Sequence, residues 1–115
     1  MRIKLTPLDR LFARYIKLRD KVCQRCGGTG GLQTSHFWGR AKKSVRWDEE
    51  NACLLCMGCH MYLTAHPYEH TEFFKKRIGE RAFDLLMART KPQKPDIQAL
   101  TIYLGNKIKE LENGS

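Results

Sequence analysis

The chain has 115 residues, 42% hydrophobic and 29% charged, and its 21 Lys and Arg against 12 Asp and Glu give a formal net charge of +9. This is the composition of one soluble globular domain rather than a disordered tail, and no run approaches the roughly 20 apolar residues of a membrane span. The first residues carry no apolar core of signal-peptide length, which predicts a cytoplasmic protein, and the excess of positive charge predicts an anionic partner.

In chain order, residues 1–20 read as an N-terminal helix. Thr6 is placed to cap it, Pro7 to open its first turn, and Asp9 to face the positive end of its dipole. Leu8, Leu11, Phe12, Tyr15, Ile16 and Leu18 follow at helical spacing. Cys23-Gln-Arg-Cys26-Gly-Gly-Thr-Gly-Gly31 predicts a tight knuckle, with glycines to allow the turn. Leu32–Phe37 and Asn51–Leu55 read as short strands, and the polar, basic stretch 38–50 between them as an exposed loop. Cys56-Met-Gly-Cys59-His60 repeats the knuckle and runs into a helix to about Thr64, which His66-Pro67 ends. Pro67 opens another helix, Gly79 interrupts it, and Ala82 to Met87 continue a helical pattern. After the linker Lys91-Pro-Gln-Lys-Pro95, Asp96 caps a last helix in which Ile97, Leu100, Leu104, Ile108 and Leu111 form one stripe. The expected organisation is a single α+β domain: helix 1–20, core 21–66, and a helical extension 67–115.

Five cysteines in Cys-x-x-Cys spacings suit a metal better than disulfides. Cys23 and Cys26 form the first pair. Spacing alone fits either Cys53/Cys56 or Cys56/Cys59 as the second, and Gly58, at a turn position, favours Cys56 and Cys59. Cys53 then reads as a small buried hydrophobe in its strand. Four thiolates on Zn²⁺ leave no open position, so the zinc is expected to be structural, and the chain keeps about +7. Twenty-nine residues separate Cys26 from Cys56, whereas simple zinc ribbons hold about 15–20 there. The excess predicts a working segment clamped between the knuckles.

That segment and its edge contain His36, Asn51 and His60. A neutral His36 suits a general base for water. His60, beside a zinc-bound cysteine, suits a ligand to a hydrolytic divalent ion. Asn51 suits a supporting role, orienting His36 or tying the loop through its amide. Arg40, Lys42, Lys43 and Arg46 lie where a phosphate backbone would have to approach His36. Phe37 and Trp38 suit either a wedge against DNA or packing on the zinc core.

With Cys23-x-x-Cys26, Ser35-His36, Asn51-Ala-Cys-Leu-Leu-Cys56 and Cys59-His60, the sequence resembles the HNH (ββα-metal, His-Me finger) endonuclease family over about residues 21–66. Arg46-Trp-Asp-Glu-Glu-Asn51 and Arg77-Ile-Gly-Glu-Arg-Ala-Phe-Asp84 are similar to phage recombination proteins of the NinG (Rap) type. The resemblance implies a ββα-metal core and DNA phosphodiester hydrolysis with His36 as base. It also implies His60 as ligand to a catalytic Mg²⁺ or Mn²⁺, and DNA, branched or duplex, as substrate. Two positions depart from the family pattern: Ser35 stands where many members carry a second metal ligand, and Thr64 where many carry another His. Either His60 holds the ion with phosphate and water, or His66 or His70 adds a ligand, or activity has been lost.

Lys75, Lys76, Arg77 and Arg81 are further candidates to grip a duplex through its phosphates. The stripe of the last helix is a candidate surface for a homodimer, although such stripes are more often core. A zinc-stabilised DNA-binding module without catalysis accounts equally well for the charge and the cysteines, but leaves His36, Asn51 and His60 unexplained.

Overall fold

In the computed structural model, which describes residues 3–114, the chain is organised around one short strand. Ala52-Cys-Leu-Leu-Cys56 (β2) is apolar throughout, and its first four residues are fully buried. Successive side chains of a strand point to opposite faces, so a strand this uniform needs cover on both. Ala52 and Leu54 pack with Leu8, Phe12 and Ile16 of α1 (Pro7–Asp20) and Leu104 and Ile108 of α5 (Ile97–Gly114). Cys53 and Leu55 pack with Leu63 of α2 (Met57–Ala65), Phe74 of α3 (Pro67–Ile78) and Phe83 of α4 (Glu80–Ala88). β1 (Leu32–His36) pairs antiparallel with β2, Leu32 opposite Cys56 and His36 opposite Ala52. The fold class is α+β, with five α-helices around a two-stranded sheet among the described residues. Among the described residues no helix is long and apolar enough to cross a membrane.

The free edge of β2 is covered by the chain leaving α1. The Leu54 N–H donates to Asp20 Oδ2 at 2.9 Å, and the Gln24 N–H donates to the Leu54 carbonyl at 2.9 Å. Arg19 donates to the carbonyls of Ala52 and Glu49. An edge satisfied in this way cannot recruit a second chain.

Helix boundaries follow the capping residues. Thr6 and Asp9 exchange side-chain-to-backbone hydrogen bonds in a capping box with Pro7 in the first turn, and Asp96 accepts from the Ala99 N–H at 3.0 Å. Gly79, at φ +92°, separates α3 from α4 in a conformation that side chains disfavour. β1 ends at His36, one residue earlier than expected, and β2 starts at Ala52, one later. The Phe37 N–H still donates in register to the Asn51 carbonyl at 2.7 Å, but Asn51 already belongs to a 3₁₀ turn, so the strand pair stops at His36 and Ala52.

The stretch 38–50 corrects the expectation of an exposed loop. It carries two 3₁₀ turns, Lys43–Val45 and Glu49–Asn51, and Val45, Arg46 and Trp47 are buried. Arg46 donates to both oxygens of Asp9, at 3.0 and 2.6 Å, and to the Lys4 carbonyl. Trp47 Nε1 donates to Asp9 Oδ1 at 2.9 Å. Asp9 thus takes a second role, as the buried counter-charge that pins the loop onto α1. Burial raises its carboxyl pKa, but the bonds from Arg46 and Thr6 outweigh that and hold it at about 2. The second half of the loop is pinned by its acids: Glu49 accepts from Tyr15 and Tyr103, and Arg89 bridges Asp48 and Glu50.

The last helix shows where its stripe goes. Leu104 and Ile108 are buried against α1, whereas Ile97 and Leu111, at the ends of the stripe, stay exposed.

Removing Asp9 leaves the Arg46 guanidinium buried without its partner, which costs about 3–5 kcal/mol. Losing the helix cap alone costs about 1 kcal/mol. Urea unfolding of Asp9→Ala and Thr6→Ala is therefore expected to show the first several times more destabilised than the second. Equal losses would mean that Asp9 acts only as a cap residue.

Candidate metal centre and histidine site

The sulfurs of Cys23, Cys26, Cys56 and Cys59 all lie within 4.8 Å of one another. Cys26 Sγ and Cys56 Sγ are 3.7 Å apart, and a tetrahedron with Zn–S bonds of about 2.3 Å sets its sulfurs about 3.8 Å apart. The backbone is folded for anionic sulfur: the N–H groups of Cys26, Gly28 and Cys59 point at Cys23, Cys26 and Cys56 Sγ. Burial raises the Cys23 thiol, yet backbone donors outweigh it and bring the thiol down to about 6. The cluster can hold a metal ion and is consistent with structural zinc.

The choice between Cys53 and Cys59 follows from direction along β2. Cys53 is fully buried among Leu55, Leu63 and Phe74, and its sulfur lies outside the group of four, which takes Cys59 instead. It is a neutral core residue, as the strand alternation predicts. Arg25 is a supporting residue that the spacing alone did not reveal. Its guanidinium donates to Cys59 Sγ at 3.4 Å and lies 4.4 Å from the centre of the Tyr62 ring.

His36 closes β1 on the face of the sheet turned toward α1, its ring 5.6 Å from that of Phe12. His36 Nε2 lies 3.0 Å from the Arg46 carbonyl. A carbonyl can only accept, so Nε2 carries the proton and Nδ1 keeps a lone pair. Burial, followed by the charge of Arg40, lowers its pKa to about 4. The imidazole is neutral at neutral pH.

Asn51 is fully buried and does not touch either histidine through its side chain. It accepts from the Trp38 N–H and donates to the carbonyls of Trp38 and Val45, all within 3.0 Å. Of the two supporting roles expected for it, the structure shows the loop tie. Through that tie it holds the segment whose Arg46 carbonyl fixes the His36 ring.

His60 lies on α2, one residue beyond Cys59. His60 Nδ1 is 2.7 Å from Gln33 Oε1 of β1, so Nδ1 carries the proton and Nε2 keeps its lone pair, the form a metal ligand needs. Gln33 is a second supporting residue that a polar strand position alone does not signal. Burial and then Arg40 lower the His60 pKa as well. The field of Arg40 therefore reaches both histidines, although they are held from different sides of the hairpin.

Among the described residues the four cysteines are the only grouping of three or more such side chains placed to hold a metal. His66 stacks on Tyr62 at 4.0 Å and turns its Nδ1 to the Tyr62 carbonyl. His70 packs between Phe37 and Phe74 and is lowered by burial and by His60. Ser35 is buried opposite Cys53.

The basic residues divide. Lys42 and Lys43 are exposed, and Lys42 Nζ lies 5.2 Å from the Trp38 ring centre. Arg40 is part-exposed, 3.9 Å from Asp9. Arg46 departs from its expected place at the phosphate surface, because the buried Asp9 claims its guanidinium. Arg77 is likewise drawn inward, to Asp20 at 3.3 Å, while Lys76 and Arg81 stay exposed. Phe37 lies among Phe74, Phe83 and His70, the packing alternative.

No protein-family model, curated protein or solved structure matches this chain.

Two outcomes follow from this geometry. Native mass spectrometry should find one zinc per chain in wild type and in Cys53→Ala, and none in Cys56→Ser; retention by Cys56→Ser with loss in Cys53→Ala would overturn the ligand set. The second concerns pH. The unfolded His36 titrates near 6.5 and the folded one at about 4, so in that window the unfolded chain binds more protons and stability falls as pH falls. The stability gap between wild type and His36→Gln, from urea midpoints, should change across that window and be constant above about pH 7. A gap independent of pH would mean that His36 is not held neutral.

Proposed function

We propose that the protein is a metal-dependent endonuclease of the HNH type, hydrolysing DNA phosphodiester bonds, with the cysteine cluster holding structural Zn²⁺. The observation that carries this reading is the pair of complementary histidine tautomers. His36 keeps a free Nδ1 and His60 a free Nε2, each fixed by a hydrogen bond on its other nitrogen. Each ring thereby offers one unprotonated nitrogen, which a general base and a metal ligand each require. The strand–strand–helix unit of β1, β2 and α2, stapled at the cysteine knuckles, supports the same reading.

In this mechanism His36 Nδ1 takes a proton from water as the water oxygen attacks phosphorus. Arg46 contributes only its carbonyl, which keeps the ring turned. His60 Nε2 offers one ligand position, oriented by Gln33. A divalent ion such as Mg²⁺ or Mn²⁺ supplies charge stabilisation at the phosphate and at the leaving oxygen. No grouping of three or more metal-ligating side chains among the described residues includes His60, so phosphate and water would supply much of the ion's shell, as suits an Mg²⁺-like site filled together with substrate. Arg40 adds positive charge beside both histidines, and Lys42 and Lys43 contact the backbone.

The second reading, a zinc-stabilised DNA-binding module, is favoured by one observation: among the described residues no grouping of three or more metal-ligating side chains includes His60. Cleavage of plasmid and of a four-way junction with Mg²⁺, Mn²⁺ or EDTA separates the two. The nuclease reading expects metal-dependent cutting, lost by at least about a hundredfold in His36→Ala with zinc content and DNA affinity retained. Gln33→Ala is expected to raise the metal concentration for half-maximal cutting about tenfold. Zinc-loaded protein that binds DNA and cuts neither substrate with either ion would leave the binding module.

A further inference from the structure

Helix α2 buries Cys59 and Leu63 against the sheet and turns a different face outward. Met57 and Met61, one helical turn apart, are 55% and 65% exposed. With Gln33, His60, Thr64 and Ala65 they line an open groove of about 530 Å³. Two thioethers in water beside a histidine contribute nothing to the core that the other face of α2 already builds.

We propose that this groove receives an unstacked nucleobase next to the phosphate held at His60, so that the preferred substrate is DNA with an unpaired base. The inference rests on the nuclease reading and names its substrate class. His60 is a wall of the groove, so a base joined to that phosphate reaches the methionines directly. The surroundings select a polyanion over an apolar peptide: the Arg25 guanidinium lies 4.4 Å from the centre of the ring of Tyr62, the residue after Met61, in a chain of net charge +9. The lining suits a base of any identity. Thioether sulfur packs favourably on aromatic rings and follows their shape. Gln33, its Oε1 taken by His60, retains its amide N–H groups for an acceptor on the base edge. A paired duplex yields a base only at the cost of unstacking, which a mismatch, a branch point or a single strand has already met.

The test reads binding without cleavage, in Ca²⁺, on the zinc-loaded chain. The probes are one perfect duplex and one duplex with a single unpaired 2-aminopurine, whose fluorescence rises as the base leaves its stack. The variant carries Met57→Gln and Met61→Gln, which keep helix propensity close to that of Met. Wild type is expected to bind the unpaired probe more tightly and to raise its fluorescence. The variant is expected to lose the fluorescence change and about fivefold to tenfold of affinity for that probe, with duplex affinity within about twofold. Equal losses on both probes, or no loss on either, would overturn the groove. So would a wild-type dimer that the variant converts to monomer in sedimentation, since the face would then belong to a second copy. The two readings fail separately. Base-selective binding without cutting in Mg²⁺ or Mn²⁺ removes the nuclease, and normal cutting without base selectivity removes the groove.

Discussion

Four sulfurs gathered within 4.8 Å join two parts of the chain that twenty-nine residues separate. Bringing such ends together costs loop entropy that a small domain can ill supply from its core alone. Once the knuckles are joined, β1 and β2 leave them side by side, and β2 runs through Cys56 directly into α2 with Cys56 as its N-cap. The position of His60 on the first turns of α2, and its reach to Gln33 across the hairpin, follow from that one staple. Neither histidine is a ligand of the cluster, yet His60 meets Gln33 through the hairpin and helix that leave it.

A second constraint organises the insert and the helices around it: two acids of α1 with buried side chains claim the nearby donors. Asp9 of α1 claims Arg46 and Trp47, and Asp20 claims Arg19, Arg77 and the Leu54 N–H. Asn51 ties the turn between them. These contacts decide which basic residues serve the interior and which stay free for an anion. They also fix the Arg46 carbonyl that sets the His36 tautomer, so the chemistry of His36 depends on a carboxylate in a different helix.

Much of this was legible in the residue pattern. The cap at Thr6, the breaks at Pro67 and Gly79, the knuckles and the ligand set with Cys59 rather than Cys53 all follow from local rules. Local rules failed where a residue serves two purposes. Asp9 satisfies the grammar of a helix start, which conceals its buried pairing with Arg46. Arg46, in a basic run, looks like a phosphate contact until the fold brings Asp9 to it. Gln33 and Arg25 carry no spacing signal, because what they support lies about thirty residues away and becomes a neighbour only through the hairpin and the staple. A sequence pattern shows which groups can react; their supports are set by tertiary contact.

The central claim is that two histidines present opposite free nitrogens, one to water and one to a divalent ion. Long-range ¹H–¹⁵N NMR of histidine-labelled, zinc-loaded protein reads both tautomers directly, and added Mn²⁺ with a short DNA reads the ion by paramagnetic broadening. The account predicts His36 as the Nε2–H form and His60 as the Nδ1–H form, with the His60 signals broadened first. A His60 protonated at Nε2, or Mn²⁺ broadening that leaves His60 untouched, would contradict it.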